Sequence, residues 1–262
     1  MRKRVITALV LAPFFLGILY MGSYYWGVLV FVLALAALFE LNFLIKKLEC
    51  KTVLPLNFLV LSLFFLLFLL GGEVYLAVLA FPVFFLIYAS LPLFYFKKIC
   101  FVDIALNYWG IVYVGLFIFL AALRMLPEGL LLTLLLVTGI WAGDIAAYFT
   151  GLKLGRHKLT VISPNKTWEG AIGGFVATVA AVILIVFLTS LATTYPWAKL
   201  LAGGVIIALA GQAGDISQSS FKREAGVKDS GTFLPGHGGL LDRFDGLLFA
   251  APAFYFYCIL AF

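Results

Sequence analysis

Residues 24–45 read YYWGVLVFVLALAALFELNFLI, an apolar run of membrane-crossing length with a single charged residue, Glu40. A helix needs about 20 apolar residues to cross the hydrocarbon core of a bilayer. Comparable runs recur near 5–22, 24–45, 56–72, 74–96, 104–123, 130–151, 171–192, 200–219 and 246–262. The pattern predicts an all-α integral membrane protein with about nine transmembrane helices.

The composition favours lipid as the solvent of this chain. Of its 262 residues, 65% are hydrophobic and 11% are charged, against about 45–50% apolar and about 25% charged residues in soluble domains. The opening stretch resembles a signal peptide, with basic residues before an apolar run. Because no clear cleavage site follows that run, we expect a retained first span.

Basic residues are unequally divided between alternate loops. If the N-terminus is cytosolic, 16 of the 18 Lys and Arg residues lie on the cytosolic side, and only Arg124 and Lys199 lie outside. This bias is typical of cytosolic loops and predicts a cytosolic N-terminus. The net charge of +6 then reflects topology and attraction to anionic headgroups. Because the basic residues are scattered over five loops, nucleic acid is disfavoured as a partner.

The two halves of the chain differ in their loops. Residues 1–129 are spans joined by short loops without a recognisable motif, whereas residues 130–262 contain both long polar loops, 152–170 and 220–245. No internal repeat or soluble domain is visible in the sequence. We interpret 1–262 as a single membrane domain, in which 1–129 supplies scaffold, lipid groove or oligomer contacts and 130–262 carries the chemistry.

Four carboxylates fall at one predicted depth, just inside the cytosolic boundary. Asp144 lies near the inner end of the sixth span, Asp215 near that of the eighth, and Asp242 and Asp245 where the ninth begins. A charge at a helix centre costs roughly 2.5–3.5 kcal/mol on insertion scales, so such residues face a cavity, a partner or an ion. Oxygen ligands of this kind favour Mg²⁺, with structural ion pairs to Lys and Arg as the alternative.

Glu40 is open to two interpretations. It lies in the second span, a turn or so above Lys46, where it either faces the same polar cavity or extends towards the cytosolic interface.

The two polar loops supply cations for phosphate. In the first loop, SPNKTWEG at 163–170 presents Lys166. The second loop, from Ser219 to Asp245, reads SSFKREAGVKDSGTFLPGHGGLLDRFD and sets His237 among glycines, which let backbone N–H groups approach phosphate closely. Helical spacing places Gln212, Asp215, Ser219 and Lys222 on one face of the eighth span.

The second loop resembles the signature of the phosphatidate cytidylyltransferases, also called CDP-diacylglycerol synthases. The matching residues are Ser219, Phe221, Lys222, Arg223, Lys228, Asp229, Gly231, Pro235, His237, Gly238, Gly239, Asp242, Arg243, Phe244 and Asp245. GDIAAYFTG around Asp144 and SPNKTWEG around Lys166 also look like this family. The resemblance is specific over about 140–245 and only general over 1–129.

The resemblance implies an enzyme that joins CTP and phosphatidic acid into CDP-diacylglycerol and pyrophosphate with Mg²⁺. A second cation in the site and a homodimer are compatible with it, and the expected location is the inner membrane of a prokaryote with the site facing the cytosol. A CTP-dependent lipid kinase is the alternative, and an ion-coupled transporter is a distant one.

These expectations assign three sets of residues. The catalytic set is Asp144, Lys166, Asp215, Lys222, Arg223, His237, Asp242, Arg243 and Asp245, of which the four aspartates bind metal. The phosphate-binding set is Lys166, Ser219, Lys222, Arg223, Lys228, His237, Gly238, Gly239 and Arg243. Further candidates are Glu40, Glu169 and Asp229.

Overall fold

The computed structural model describes residues 13–71, 74–95, 98–231 and 238–262. Helices dominate these residues, and the one β-type pairing among them is an antiparallel bridge between Lys158 and Thr167. The helices are α1 (13–21), α2 (Ser23–Lys47), α3 (Leu54–Gly71), α4 (Val74–Phe94), α5 (Phe101–Gly115), α6 (Ile118–Met125), α7 (Gly129–Leu154), α8 (Trp168–Leu188), α9 (Leu191–Thr194), α10 (Trp197–Glu224) and α11 (Leu241–Ala261).

Seven helical segments in the described ranges are long and apolar enough to cross a membrane. They are α2, α3, α5 and α6 taken together as Phe101–Met125, α7, α8, α10 and α11. Large apolar side chains such as Leu70, Phe101 and Leu260 are largely exposed. Since water would make such exposure costly, their environment is lipid, and the chain is a multi-pass membrane protein.

The all-helical membrane class is thus confirmed, whereas the count of nine spans is not. The predicted first span, 5–22, lies partly outside the described residues, and its part from 13 to 21 is helical. The predicted fourth span corresponds to α4, which contributes a shorter apolar stretch, Val78–Phe94. The cytosolic position of the N-terminus stays a prediction.

The chain divides into two compact units. The first unit comprises Met1–Ala122 and Glu224–Arg243, and the second comprises Leu123–Arg223 and Phe244–Phe262. Both α10 and α11 pass from one unit to the other along the sequence.

The first unit has a buried polar network within its helices α2 to α5. Asn57 donates to Asn42 Oδ1 at 2.9 Å and to Asn107 Oδ1 at 2.7 Å, and Tyr88 donates its hydroxyl proton to Asn57. Asn107 in turn accepts from the backbone N–H of Val53 at 3.0 Å. Because buried polar groups are stable only when they are paired, this network links the helices to the loop that precedes α3.

The second unit is held together by close contacts between small residues. A side chain on Gly143 of α7 would clash with Thr178 of α8, whose hydroxyl donates to Gly139 O at 2.9 Å. A Cβ on Gly174 would lie 3.0 Å from both Ala147 Cβ and Gly143 O. Small residues allow membrane helices to approach this closely, and the approach fixes α7, which carries Asp144, against α8.

Candidate active site

Asp215 and Asp245 belong to one polar cluster because α10 and α11 approach each other closely. Any side chain on Gly214, the residue before Asp215, would clash with the carbonyl oxygen of Asp245. The Asp245 carboxylate is repelled by Asp215 and Asp144 and attracted by Lys222. Asp215 of α10 and Asp245 of α11 are thus neighbours, and Asp144 of α7 is near enough for its charge to act on Asp245.

Lys166 adds a cation to this cluster. Its Nζ lies 2.6 Å from Asp215 Oδ2, with the lysine side chain 22% exposed and the aspartate 40% exposed. The contact is an ion pair by distance rather than an aligned hydrogen bond. The loop is shaped for this contact, because Lys166 N–H donates to Ser163 O at 3.0 Å and its carbonyl accepts from Leu159 N–H at 2.8 Å.

The start of α8 anchors the same loop. Thr167 caps the helix by accepting from Gly170 N–H at 3.1 Å, which satisfies one of the unpaired donors of the first turn. Glu169 accepts from the backbone N–H groups of Arg156 and His157 at 3.2 and 3.3 Å, and its Oε1 lies 2.6 Å from His157 Nδ1. Glu169, a further candidate in the sequence, therefore ties the loop to α8.

The polar stripe predicted on α10, which consists of Gln212, Asp215, Ser219 and Lys222, is present, but Gln212 has a partner on another helix. Ser219 and Lys222 are buried, at 7% and 8% exposed. Gln212 instead donates from Nε2 to Ala171 O of α8 at 2.9 Å, which is a packing contact.

Gln218 is a member of this stripe that the sequence analysis missed. It follows Asp215 by three residues and precedes Lys222 by four, so it shares their helix face. It is 3% exposed, and neither its amide nitrogen nor its amide oxygen has a hydrogen-bond partner among the described residues. Buried amides without hydrogen bonds are rare in proteins. No signal in the sequence marks this residue, because no pattern there shows that Gln218 is buried.

In the first unit, Asp242 accepts hydrogen bonds from the signature loop, which is the second polar loop with the family signature, Ser219 to Asp245. Its Oδ2 accepts from Ser230 N–H at 2.9 Å and from Gly239 N–H at 3.0 Å. Gly238 adopts φ +82°, a conformation that strongly favours glycine. The Asp242 carboxylate therefore has a structural role here, and its predicted metal-binding role stays a prediction.

Glu40 is buried against the same loop. It is 4% exposed. Its Oε1 accepts from Leu240 N–H at 2.8 Å, and its Oε2 accepts from Leu241 N–H and from Ser230 Oγ, both at 3.0 Å. Glu40 thus binds the first N–H groups of α11, where the helix dipole favours a negative charge.

The predicted residues are therefore distributed between the two units. The second unit contains Asp144, Lys166, Asp215, Ser219, Lys222, Arg223 and Asp245, and the first contains Glu40, Lys228, Asp229, Gly238, Gly239, Asp242 and Arg243. Arg223, Lys228, Asp229 and Arg243 are exposed. His237 lies outside the described residues.

The carboxylates of the second unit suit Mg²⁺ by their chemistry. Within the described part of the chain, no group of three or more His, Cys, Asp or Glu side chains is arranged to hold an ion. Mg²⁺, however, usually binds through one or two carboxylates together with substrate phosphates. Asp215 and Asp245 are two carboxylates of this kind on adjacent helices.

The sequence comparisons agree with this chemistry. The sequence model of the cytidylyltransferase family matches residues 2–261. The chain belongs to the cytidylyltransferase family. The resemblance inferred from the signature loop is thereby confirmed, and it extends over residues 1–129, where the sequence motifs were silent.

Two of three bacterial relatives match this cytidylyltransferase over nearly its whole length. A phosphatidate cytidylyltransferase of Bacillus subtilis is 35% identical over 98% of this chain and 97% of its own length. One from Staphylococcus haemolyticus is 36% identical over 96% of both chains. One from Synechocystis is 43% identical over 136 residues, covering 51% of this chain and 45% of its own.

Proposed function

We propose that this cytidylyltransferase joins CTP and phosphatidic acid into CDP-diacylglycerol and pyrophosphate, with Mg²⁺, at the cytosolic face of a bacterial inner membrane. The names of the full-length relatives support phosphatidate as the acceptor. The polar loops between apolar helices suit a reaction between a water-soluble triphosphate and a lipid phosphate.

The observation that carries the proposal is the cluster of Lys166, Asp215 and Asp245. Two acidic side chains on closely packed helices, with an ammonium 2.6 Å from one of them, form a site for a cation and a polyphosphate together. The negative charges of Asp215 and Asp144 act against that of Asp245, so a bound cation would stabilise these carboxylates more than the protein's own lysines do alone.

In the proposed reaction, a phosphatidate oxygen forms a bond to the α-phosphorus of CTP as the bond to the pyrophosphate oxygen breaks. The attacking phosphate is already anionic, so no strong general base is required. Mg²⁺, when bound, neutralises the charge that develops on the phosphate oxygens. Asp215 and Asp245 would hold it, with Asp144 acting directly or through water.

The cations of the second unit position the phosphates. Lys166 and the buried Lys222 lie beside the aspartates, and Arg223 is exposed at the end of α10. Positioning and charge stabilisation supply most of the catalysis in phosphoryl-group chemistry. Ser219 contributes a hydroxyl donor on the same helix face.

The signature residues of the first unit are also assigned to substrate binding. Lys228, His237, Gly238, Gly239 and Arg243 are assigned to substrate phosphates, with Asp229 beside them and His237 orienting rather than abstracting a proton. A second cation and a homodimer remain proposals from the resemblance alone.

The proposal is tested with purified protein, phosphatidate and CTP labelled on either the α- or the γ-phosphate. Label from the α-phosphate is expected to enter the lipid together with release of pyrophosphate, only when Mg²⁺ is present. EDTA should stop the reaction and excess Mg²⁺ should restore it. Transfer of the γ-label instead would establish a lipid kinase and overturn the proposal.

The cytosolic face is tested separately in sealed vesicles, because CTP does not cross a bilayer unaided. Inverted vesicles should consume external CTP, and right-side-out vesicles should not. The reverse result would place the site on the outer face.

A further inference from the structure

We propose that Glu40 is a positioning residue for the proposed reaction. It holds the signature loop and the first turn of α11 in their working conformation without touching substrate. The inference rests on the proposed function, and it assigns a role in that function to a residue outside the signature.

The contacts of Glu40 join distant parts of the sequence. Both carboxylate oxygens are used, with three donors supplied by Ser230, Leu240 and Leu241. These donors lie 190 to 201 residues further along the chain. A buried carboxylate is stable only when it is paired or fully hydrogen-bonded, so the loop and Glu40 specify each other's position.

The glycines of the signature show how tightly the loop surrounds this carboxylate. A Cβ on Gly231 would lie 2.8 Å from Glu40 Oε1. A Cβ on Gly239 would lie 2.6 Å from Glu40 Oε2 and would clash with Ser230 Oγ. Both glycines are thus required for close packing around Glu40, which is a reason independent of phosphate binding.

Ser230 connects Glu40 to Asp242, a residue of the signature. Its hydroxyl donates to Glu40, and its backbone N–H donates to Asp242. Gly239 N–H also donates to Asp242. A shift of Glu40 would therefore move Ser230 and Asp242 together, and a displacement of about 1 Å is enough to cost roughly 100-fold in rate.

The test compares Glu40→Gln with Asp103→Asn. Asp103 is a matched control because it is also buried in the first unit, at 5% exposed, and accepts from Lys51 N–H and Cys100 N–H at 2.7 and 2.9 Å. It lies outside the signature loop. Both substitutions replace a carboxylate oxygen by an amide NH₂ that opposes a backbone donor, so both should lower the thermal midpoint.

Only Glu40→Gln should change the conformation of the signature loop. We expect its kcat for cytidylyl transfer to fall at least 10-fold, with a smaller change in the KM for CTP, and hydrogen exchange to accelerate at Leu240 and Leu241. Asp103→Asn should keep the kcat of its folded fraction and the exchange rates at these two amides. Ser230→Ala should produce a weaker effect that does not add to that of Glu40→Gln.

Equal losses of kcat in the two variants, or unchanged exchange at Leu240 and Leu241 in Glu40→Gln, would overturn the proposal. Failure of the proposed function is distinguishable from this outcome. It would appear as absent cytidylyl transfer in the unaltered protein, while the exchange measurement would still report whether Glu40 holds the loop.

Discussion

Lys166 and Asp215 form an ion pair, with Nζ 2.6 Å from Oδ2, that connects the loop before α8 to the middle of the second unit. The aspartate lies on α10, which approaches α11 closely at Gly214 and Asp245, and its charge acts on the Asp245 carboxylate. Lys166 therefore compensates part of the negative charge of this cluster.

Replacing Lys166 by Met should reduce turnover much more than stability. Loss of one charged donor to a transition state costs roughly 100- to 1,000-fold in kcat, whereas a partly exposed ion pair contributes only about 0–1 kcal/mol to folding. Initial rates of CDP-diacylglycerol formation and a thermal melt measure the two effects. Lys153→Met, at an exposed position in the last turn of α7, is the control and should retain activity. Near-normal rates in Lys166→Met would contradict the assignment.

Neutralising Asp215 or Asp245 should abolish turnover without unfolding the protein. The two carboxylates repel each other, so either substitution, Asp215→Asn or Asp245→Asn, relieves repulsion. Because Asp215→Asn also removes the ion pair with Lys166, which contributes only about 0–1 kcal/mol, the thermal midpoint should change little. The rise in midpoint that Mg²⁺ and CTP produce in the unaltered protein should disappear in both variants. Glu224→Gln, at an exposed position at the end of α10, should keep both properties. The metal assignment fails if both aspartate variants still make CDP-diacylglycerol at normal rates.

Gly214→Ala should damage both packing and activity. The added methyl group meets the carbonyl oxygen of Asp245 and lies 3.0 Å from Phe249 Cβ, so α10 and α11 must separate. Overpacking of this kind costs about 1–3 kcal/mol, and it also moves Asp215 away from Asp245. Gly17→Ala is the matched control, because a Cβ there meets nothing within 4 Å. Equal thermal midpoints and rates for the two variants would show that the close approach is unimportant.

Gln218→Met should stabilise the protein. A buried amide without hydrogen bonds costs about 1–3 kcal/mol, and Met fills a similar volume without a polar group. The control is Gln212→Met, which removes the 2.9 Å bond to Ala171 O and should lower stability by about 1 kcal/mol. Thermal melts in one detergent compare the two. A lower midpoint in Gln218→Met than in the unaltered protein would mean that its amide has a partner after all.

The helices and much of the site could be predicted from local sequence. Long apolar runs determine membrane helices, and charged residues inside such runs are few enough that Asp144, Asp215 and Asp245 stood out. The match of the signature to a family identified the reaction class. Each of these signals lies within a short stretch of chain.

The roles of Glu40 and Gln218 could not be predicted in this way. The partners of Glu40 are backbone N–H groups of Leu240 and Leu241, which every residue but proline carries, so no side-chain pattern marks them. The lack of partners for Gln218 depends on the packing of its surroundings. No local pattern showed, for the same reason, that the N–H of Gly239 donates to Asp242 and that its missing side chain makes room for Glu40.

The contact of Glu40 with the start of α11 has a consequence for biosynthesis. The segment bearing Glu40 leaves the ribosome long before its partners at 230–241 are translated. Domains with such distant contacts form slowly and late. A nascent or truncated chain therefore lacks the three donors of the Glu40 carboxylate, and the first unit can close around it only after residue 241 has been made.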